Sequence, residues 1–385
     1  MKLINLYIKD HLLLHELNLR FDRDGRLDEK ESYRLDFLVG VNGSGKSTLL
    51  RTLVEIVLSL KGATKVGYAY KLEYELNNSG QHIRVLVNNT ENSEYSSPIS
   101  QIYAEDGDLL DEYHGELPIQ YLPKQIVVYT TGSEIEWENI LFDSYHATNN
   151  APVDKDFLAD KTKRYIHETP AKMVRKETAE AETQEEAPFL LLHSSRLNAI
   201  TLCGLLRYLS NAEVINHHPL ADVLDAVGIE SLAGFSLRFR IYDQLSDKSL
   251  YEKLRQLNPS PTILQQASDR LVVFDLIKDP GAAQRLLDLY GGTFGLFKIL
   301  DTQLDNDPTH TGSPTLQEIN LFLQRKSVEP ADGENGNVHI PSIFLLDWLS
   351  DGERAFLGRM ALLAMLDMQD SLIILDEPEV HFNDY

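Results

Sequence analysis

Residues 40–47 read Gly40-Val41-Asn42-Gly43-Ser44-Gly45-Lys46-Ser47, a complete match to the pattern G-x-x-x-x-G-K-[ST]. Ahead of it the alternation from Tyr33 to Val39 predicts a strand. Behind it Leu49, Leu50, Leu53, Ile56, Val57 and Leu60 fall at helical spacing, which predicts a helix from Lys46 to about Leu60. Strand, glycine loop and helix together are the setting in which such a loop holds phosphate. The glycines let backbone wrap closely around an anion, and the N–H groups at a helix N-terminus face it where the helix dipole favours negative charge. On this reading Gly40, Asn42, Gly43, Ser44, Gly45, Lys46, Ser47 and Thr48 bind a nucleotide. Lys46 reaches its β- and γ-phosphates, and Ser47 offers a hydroxyl to Mg²⁺.

Two further segments gain meaning from this loop. Leu372-Ile373-Ile374-Leu375 is a short apolar run that reads as a buried parallel strand, and Asp376-Glu377-Pro378 follows it. Carboxylates at the C-terminal edge of such a strand face the nucleotide crevice. Asp376 is placed to hold Mg²⁺, and Glu377 to orient or deprotonate an attacking water. The other segment is Leu349-Ser350-Asp351-Gly352-Glu353, followed by helical spacing through Phe356, Met360, Leu363 and Met365. Ser350 and Gly352 at a helix start form a second anion site without a lysine. Taken alone, Ser350 with Glu353 three residues later is equally a capping box.

In this order the three elements resemble the ABC-class P-loop ATPases, whose LSxGE signature matches Leu349 to Glu353. The resemblance implies ATP and Mg²⁺ as cofactors and a head-to-tail homodimer, or a higher oligomer. Ser350 and Gly352 of one copy then contact the γ-phosphate held by the other copy's loop. The long interval between Lys46 and Ser350 is similar to the SMC/RecF/RecN/OLD-like branch. The ending Asp376-Glu377-Pro378-Glu379-Val380-His381 and the segment Val127 to Ser133 resemble prokaryotic restriction- or defence-associated ATPases of that branch. The expected fold is therefore α/β, a P-loop ABC-type head of mixed sheet with flanking helices, carrying an inserted, mainly helical lobe. The family places a switch histidine and further strands after the Glu377 position, so the polypeptide either continues past Tyr385 or has an incomplete site. His381 lies too close to Glu377 to be that histidine and is expected at the dimer seam. Gln125 is a candidate for the family's metal-contacting glutamine, against a plain surface amide.

The chain divides, on this reading, into four parts: 1–144 as the N-terminal part of the head, 145–188 as a polar linker, 189–304 as the inserted lobe, and 305–385 as the C-terminal part of the head. Strands are expected at Lys2 to Ile8, Leu17 to Phe21, Tyr68 to Tyr74, His82 to Val87 and Gln125 to Tyr129. The linker holds the acidic run Glu177 to Glu186 after the basic residues Lys161 to Lys176, and it lacks the aromatic interleaving that stacks on single strands. Within the lobe, helices are expected at Leu197 to Leu209, Leu220 to Val227, Ile263 to Ile277 and Ala282 to Leu289, with one strand-like segment from Phe235 to Ile241. Gly291-Gly292-Thr293-Phe294-Gly295 reads as a helix break, because no Lys-Ser/Thr follows it.

Composition removes several function classes. The 385 residues carry 36 basic and 59 acidic side chains, a net charge of −23, and one cysteine. A single cysteine, Cys203, rules out an internal disulfide or a thiolate zinc site. The acidic balance argues against wrapping nucleic acid over the whole surface, although a local basic groove stays open as a nucleic-acid contact. Charge interrupts the apolar stretch at the N-terminus before a signal core forms, and no apolar run reaches the about 18 residues that span a bilayer. The expectation is thus a cytoplasmic ATPase with no membrane contact, a switch that controls a partner effector such as a nuclease or toxin in antiphage defence or DNA repair. A non-hydrolysing nucleotide-dependent scaffold and an ABC transporter subunit are the alternatives.

Overall fold

In the computed structural model the helix foreseen behind the glycine loop spans Lys46–Leu60 (α1). Leu49, Thr52, Leu53, Val54, Ile56, Val57, Leu58 and Leu60 are buried, too wide an arc for a surface helix, so α1 runs through a core. The described residues are 1–21, 36–41, 43–62, 66–78, 81–90, 97–132, 136–140, 189–211, 219–240, 249–257, 262–266, 269–305, 315–326, 342–366 and 370–376. The expected linker 145–188 falls outside them, as do Asn42, Glu377 and His381. The chain is mixed α/β, and its described residues group into two compact units, one within Met1–His193 and Met368–Val380, the other within Ser194–Asp367.

The first unit holds two sheets. Six antiparallel strands, β1 (Lys2–His11), β2 (Leu14–Arg20), β3 (Tyr70–Asn78), β4 (Gln81–Asn88), β5 (Ile99–Ala104) and β6 (Leu109–His114), pair in the order β2-β1-β3-β4-β5-β6. Three strands, β7 (Ile126–Thr130), β8 (Phe189–His193) and β14 (Leu372–Asp376), form a parallel sheet in the order β14-β7-β8. Alternate residues of β4 point inward, Ile83, Val85 and Val87, as expected of a half-buried strand. One apolar core joins these to α1, to Ile126 and Val128 of β7, to Leu191 of β8 and to Leu372 and Ile374 of β14. Each fully buried aliphatic side chain contributes about 1.5–3 kcal/mol relative to exposure, so the core secures β14 and α1 together although they lie at opposite ends of the chain.

The second unit is built on the sheet β10-β11-β9-β12-β13: β9 (Ile229–Arg240), β10 (Thr262–Gln266), β11 (Asp269–Asp275), β12 (Thr315–Arg325) and β13 (Ile343–Leu345). Its helices are α2 (Leu197–Asn211), α3 (Pro219–Ala226), α4 (Ser249–Leu257), α5 (Ala282–Leu289), α6 (Thr293–Asp305) and α7 (Asp351–Met365). The rings of Phe235 on β9 and Phe274 on β11 stack at 4.6 Å between centroids. Helices α2 and α7 cross so closely that a Cβ placed on Gly204 would collide with the backbone of Ala361. Gly291 and Gly292, at φ 69° and 108°, turn the chain between α5 and α6, the expected helix break.

Three expectations are corrected. The segment Ile263 to Ile277, expected as a helix, carries β10 and β11, which pair from Thr262 opposite Val273 to Gln266 opposite Asp269. The β-branched and aromatic run Val272-Val273-Phe274 suits a ladder against β9 better than a helix surface. The part expected to be a mainly helical lobe is accordingly sheet and helix together. The expected boundary at 304/305 does not separate units either, since β12 pairs along β9 from Thr315 opposite Arg240 to Arg325 opposite Ile229. Finally, the strand expected just before Gly40 is not formed over 36–41, which have no regular secondary structure. Phe37, Val39 and Val41 are exposed at 79%, 95% and 80%. Alternation favours a strand only where a neighbouring ladder accepts it.

Candidate functional site

The glycine loop enters α1 through two left-handed residues. Gly43 and Gly45 have φ 80° and 88°, a conformation that costs other residues strain and that aims successive N–H groups into a concavity suited to an anion. Gly45 is the residue before α1 and has no side chain with which to cap it. The N–H groups of a first helical turn preceded by such a loop suit an anion. The Ser44 N–H donates to the Val41 carbonyl at 3.2 Å. Lys46 folds back over the loop, with its ammonium donating to the carbonyls of Gly40 at 2.6 Å and Val41 at 3.2 Å. These are exposed contacts that a phosphate can replace. Thr48, on the first turn of α1, accepts from the Thr52 hydroxyl at its carbonyl.

Residue 376 comes to this loop from the far end of the chain. β14 runs parallel to β7 with Leu372 opposite Ile126 and Asp376 opposite Thr130, and β7 sets Thr130 opposite His193 of β8. Asp376 thus ends its strand at the carboxyl edge of a parallel sheet, where such sheets bind ligands. The Ser47 hydroxyl donates to Asp376 Oδ1 at 2.8 Å, between residues 329 positions apart. The other carboxylate oxygen, Oδ2, accepts from the Trp137 indole N–H at 3.0 Å. Asp376 is only 6% exposed, and these charge-assisted bonds offset the cost of burying its carboxylate.

This pair of oxygens fits Mg²⁺. Mg²⁺ takes hard oxygen ligands at about 2.1 Å in an octahedron, whose adjacent ligands lie about 3.0 Å apart, and it keeps several waters or phosphate oxygens beside one or two protein ligands. The Ser47 and Asp376 oxygens, 2.8 Å apart, match that spacing. Among the described residues no group of three or more His, Cys, Asp or Glu converges on one point.

Gln125 does not join them. It precedes β7, and its carbonyl accepts from Leu372 N–H at the start of β14, so it lies at the opposite end of the parallel sheet from Asp376. Five residues of strand separate the two levels, about 16 Å at 3.3 Å per residue. Its amide is buried, 2% exposed, with neither side-chain atom hydrogen-bonded. The metal-contact expectation for Gln125 is therefore corrected: sequence proximity to a strand did not say which end of the sheet it occupies. Neither is it a surface amide.

Ser350 and Gly352 lie in the second unit. Ser350 caps α7: its hydroxyl oxygen accepts from the Glu353 N–H at 3.3 Å and its hydroxyl donates to the Glu353 carboxylate at 2.7 Å. The Glu353 carboxylate in turn accepts from the Ser350 N–H at 2.9 Å. This closes the capping box. The Ser350 hydroxyl and N–H hold the Glu353 carboxyl below its ordinary pKa. Among the described residues beyond its own turn, nothing lies within 4 Å of the position a Cβ on Gly352 would take. Trp348, two residues before Ser350, is 72% exposed and so belongs to no core. Arg354 pairs with Asp347 at 3.2 Å and with Asp351 at 3.4 Å.

Two features of the loop's surroundings were not read from the sequence. One is Trp137, whose indole reaches Asp376; no spacing rule links an indole to a carboxylate 239 residues away. The other is the tight turn between β1 and β2. Leu12 there has φ 52° and is 71% exposed, and Leu13 is 65% exposed. Leu13 and Leu14 flank the position a Cβ on Gly45 would take, so an apolar tip borders the loop. A β-hairpin tip more often carries Asn-Gly, which a sequence reading would have caught. Among the described residues no helix is long and apolar enough to cross a membrane. Compared with known proteins, the chain matches no protein-family profile and no curated protein.

Proposed function

We propose that this chain is an ATP-binding and ATP-hydrolysing switch with an ABC-type P-loop head, which dimerises head to tail around ATP and regulates an effector protein such as a nuclease or toxin in antiphage defence or DNA repair. The observation that carries the proposal is the bond from the Ser47 hydroxyl to Asp376. The glycine loop and the acidic strand end are legible as separate patterns, and their meeting at 2.8 Å is what a nucleotide-bound metal requires.

In this mechanism the loop amides and Lys46 bind the β- and γ-phosphates, with Lys46 leaving the Gly40 and Val41 carbonyls for phosphate oxygens. Ser47 and Asp376 would hold Mg²⁺, which would supply positive charge against the phosphates. Glu377 takes the proton of the attacking water. Ser350 and Gly352 of a second copy close over the γ-phosphate, so nucleotide favours the dimer and hydrolysis releases it. The energy of the switch is the difference in ATP affinity between the open and closed forms. The net charge of −23 suits an effector with a basic face better than continuous contact with nucleic acid.

The test is the mass of the purified protein in solution with and without ATP·Mg²⁺, for wild type and Glu377→Gln, with phosphate release followed in the same samples. A dimer that forms only with nucleotide, persists in Glu377→Gln and loses turnover there supports the switch. Nucleotide binding with unchanged mass and no turnover sinks it in favour of a scaffold.

A further inference from the structure

Asp376 offers two oxygens, and they are occupied differently. Oδ1 accepts from the Ser47 hydroxyl, on the side of the nucleotide loop, while Oδ2 accepts from the Trp137 indole at 3.0 Å. Trp137 is 1% exposed and belongs to the core shared by α1, β7 and β14, so its ring has little freedom to turn. The indole N–H is a donor only. It cannot ligate a cation, and it holds the oxygen it contacts away from that duty. A second link runs from the same helical turn, residues 136–140: Glu136 pairs with Arg51, and Arg51 Nε donates to the Ser47 carbonyl at 3.1 Å. One turn of chain therefore braces both members of the oxygen pair, Asp376 directly and Ser47 through Arg51.

We propose that Trp137 is a positioning residue for the metal: its indole N–H fixes the Asp376 carboxylate so that Oδ1 alone faces Ser47, and this sets the Mg²⁺ concentration at which the site takes up ATP. The inference rests on the proposed function. Groups that orient a metal-binding carboxylate change metal affinity by about 10–100-fold when removed, without touching metal or nucleotide themselves. Packing alone would produce a different pattern, a loss of stability that leaves the metal requirement where it was.

The experiment has two readouts on the full chain. The sequence contains two tryptophans, so an indole ¹⁵N-labelled protein gives two side-chain N–H signals, assigned by Trp348→Phe. Asp376→Asn is expected to move the Trp137 signal and leave that of Trp348 in place. In parallel, ATP binding is titrated against Mg²⁺ for wild type, for Trp137→Phe, and for the chain with 3-benzothienylalanine at position 137, which keeps the shape of the ring and lacks the N–H. Both replacements are expected to raise the Mg²⁺ concentration for half-maximal binding about 10-fold or more, with metal-free ATP binding and the isostere's melting temperature unchanged.

A Trp137 signal indifferent to Asp376→Asn overturns the contact. A raised Mg²⁺ requirement in Trp137→Phe but not in the isostere assigns the effect to packing and overturns the positioning role. If the wild-type chain takes up no ATP at any Mg²⁺ concentration, the proposed function fails and the inference with it, an outcome visible before any substitution is made.

Discussion

The glycine loop and the turn before α7 both present polar groups at the N-terminus of a helix, and they satisfy them in opposite ways. At α1 the residue before the helix is a glycine with no side chain to cap it, Lys46 rests on exposed carbonyls, and the Ser47 hydroxyl meets the Asp376 carboxylate from 329 positions away. At the start of α7 the side-chain hydrogen bonds are local: Ser350 and Glu353 complete each other within one turn, and Arg354 closes on Asp347 and Asp351. A helix start that has its own side-chain cap needs no ligand to account for it, whereas one preceded by glycine, with a lysine and a buried carboxylate close by, is suited to receive one. The first region is the one on which the proposed nucleotide site rests. The second becomes a binding element only when something outside its unit approaches it.

The strongest way to break this comparison is at the loop. Lys46→Ala removes the ammonium that reaches the phosphates, while the bonds it gives up in the free protein are exposed and worth little to the fold. At an ATP concentration of 100 times the wild-type dissociation constant, bound nucleotide stabilises the protein by about 2.7 kcal/mol. Lys46→Ala is expected to abolish that gain and to change the nucleotide-free stability by less than about 1 kcal/mol. Thermal denaturation with and without ATP·Mg²⁺ measures both. A variant that keeps the full ATP-dependent shift means that the loop is a turn and not a phosphate site.

Ser350 separates its two roles with one substitution. Aspartate caps helices as well as serine does, whereas alanine costs about 1 kcal/mol. Ser350→Asp keeps an acceptor for the Glu353 N–H but loses the hydroxyl that donates to the Glu353 carboxylate and sets two carboxylates side by side, so it should cost about 1 kcal/mol or more, no less than alanine, with ATP binding by the free chain intact. It also places a negative charge where the γ-phosphate of the partner copy is to dock, so nucleotide-dependent dimerisation should be lost. Ser350→Ala should lose stability to a similar degree with a smaller loss of dimer, so the dimer and not the stability separates the two roles. Sedimentation with ATP·Mg²⁺ and chemical denaturation of both variants decide the matter. If Ser350→Asp dimerises normally, the turn is a helix cap and nothing more.

What the sequence disclosed follows the same division between local and distant. Helices with their own periodicity, α1 and α5, and the glycines at 43 and 45 were legible because their causes lie within a few residues. Asp376 was legible because an apolar run must end somewhere and a loop of known chemistry needed a carboxylate. The segment 36–41 and the hairpin of β10 and β11 were misread because whether a β-prone stretch pairs is decided by the neighbouring strand, which in β11 is β9. Gln125 was misplaced for a related reason. Pattern finds a strand, but only the parallel register with β14 tells which end faces the ligand. Trp137 gave no signal at all, since a buried indole looks the same in sequence whether its N–H meets a carbonyl or, as here, the Asp376 carboxylate.

The smallest effect tests whether the α7 cap is as self-sufficient as its geometry implies. The Ser350 hydroxyl first, and its N–H second, lower the pKa of Glu353 in the folded protein below the ordinary 4.5. A carboxyl whose folded pKa is depressed contributes its stability fully above the unfolded pKa and loses it as pH falls through the folded one. The advantage of wild type over Glu353→Gln should thus be constant from neutral pH down to about 5 and shrink as pH falls below the ordinary carboxyl value. Because Glu353 is exposed, solvent screens the effect and the difference in melting temperature will be small. Measuring both variants at each pH cancels the general acid unfolding of a chain this rich in carboxylates. A difference that does not change with pH would mean that the Glu353 charge takes no part in the cap. The Ser350 hydroxyl would then be less committed to its own helix, and freer to meet a phosphate, than the bond lengths imply.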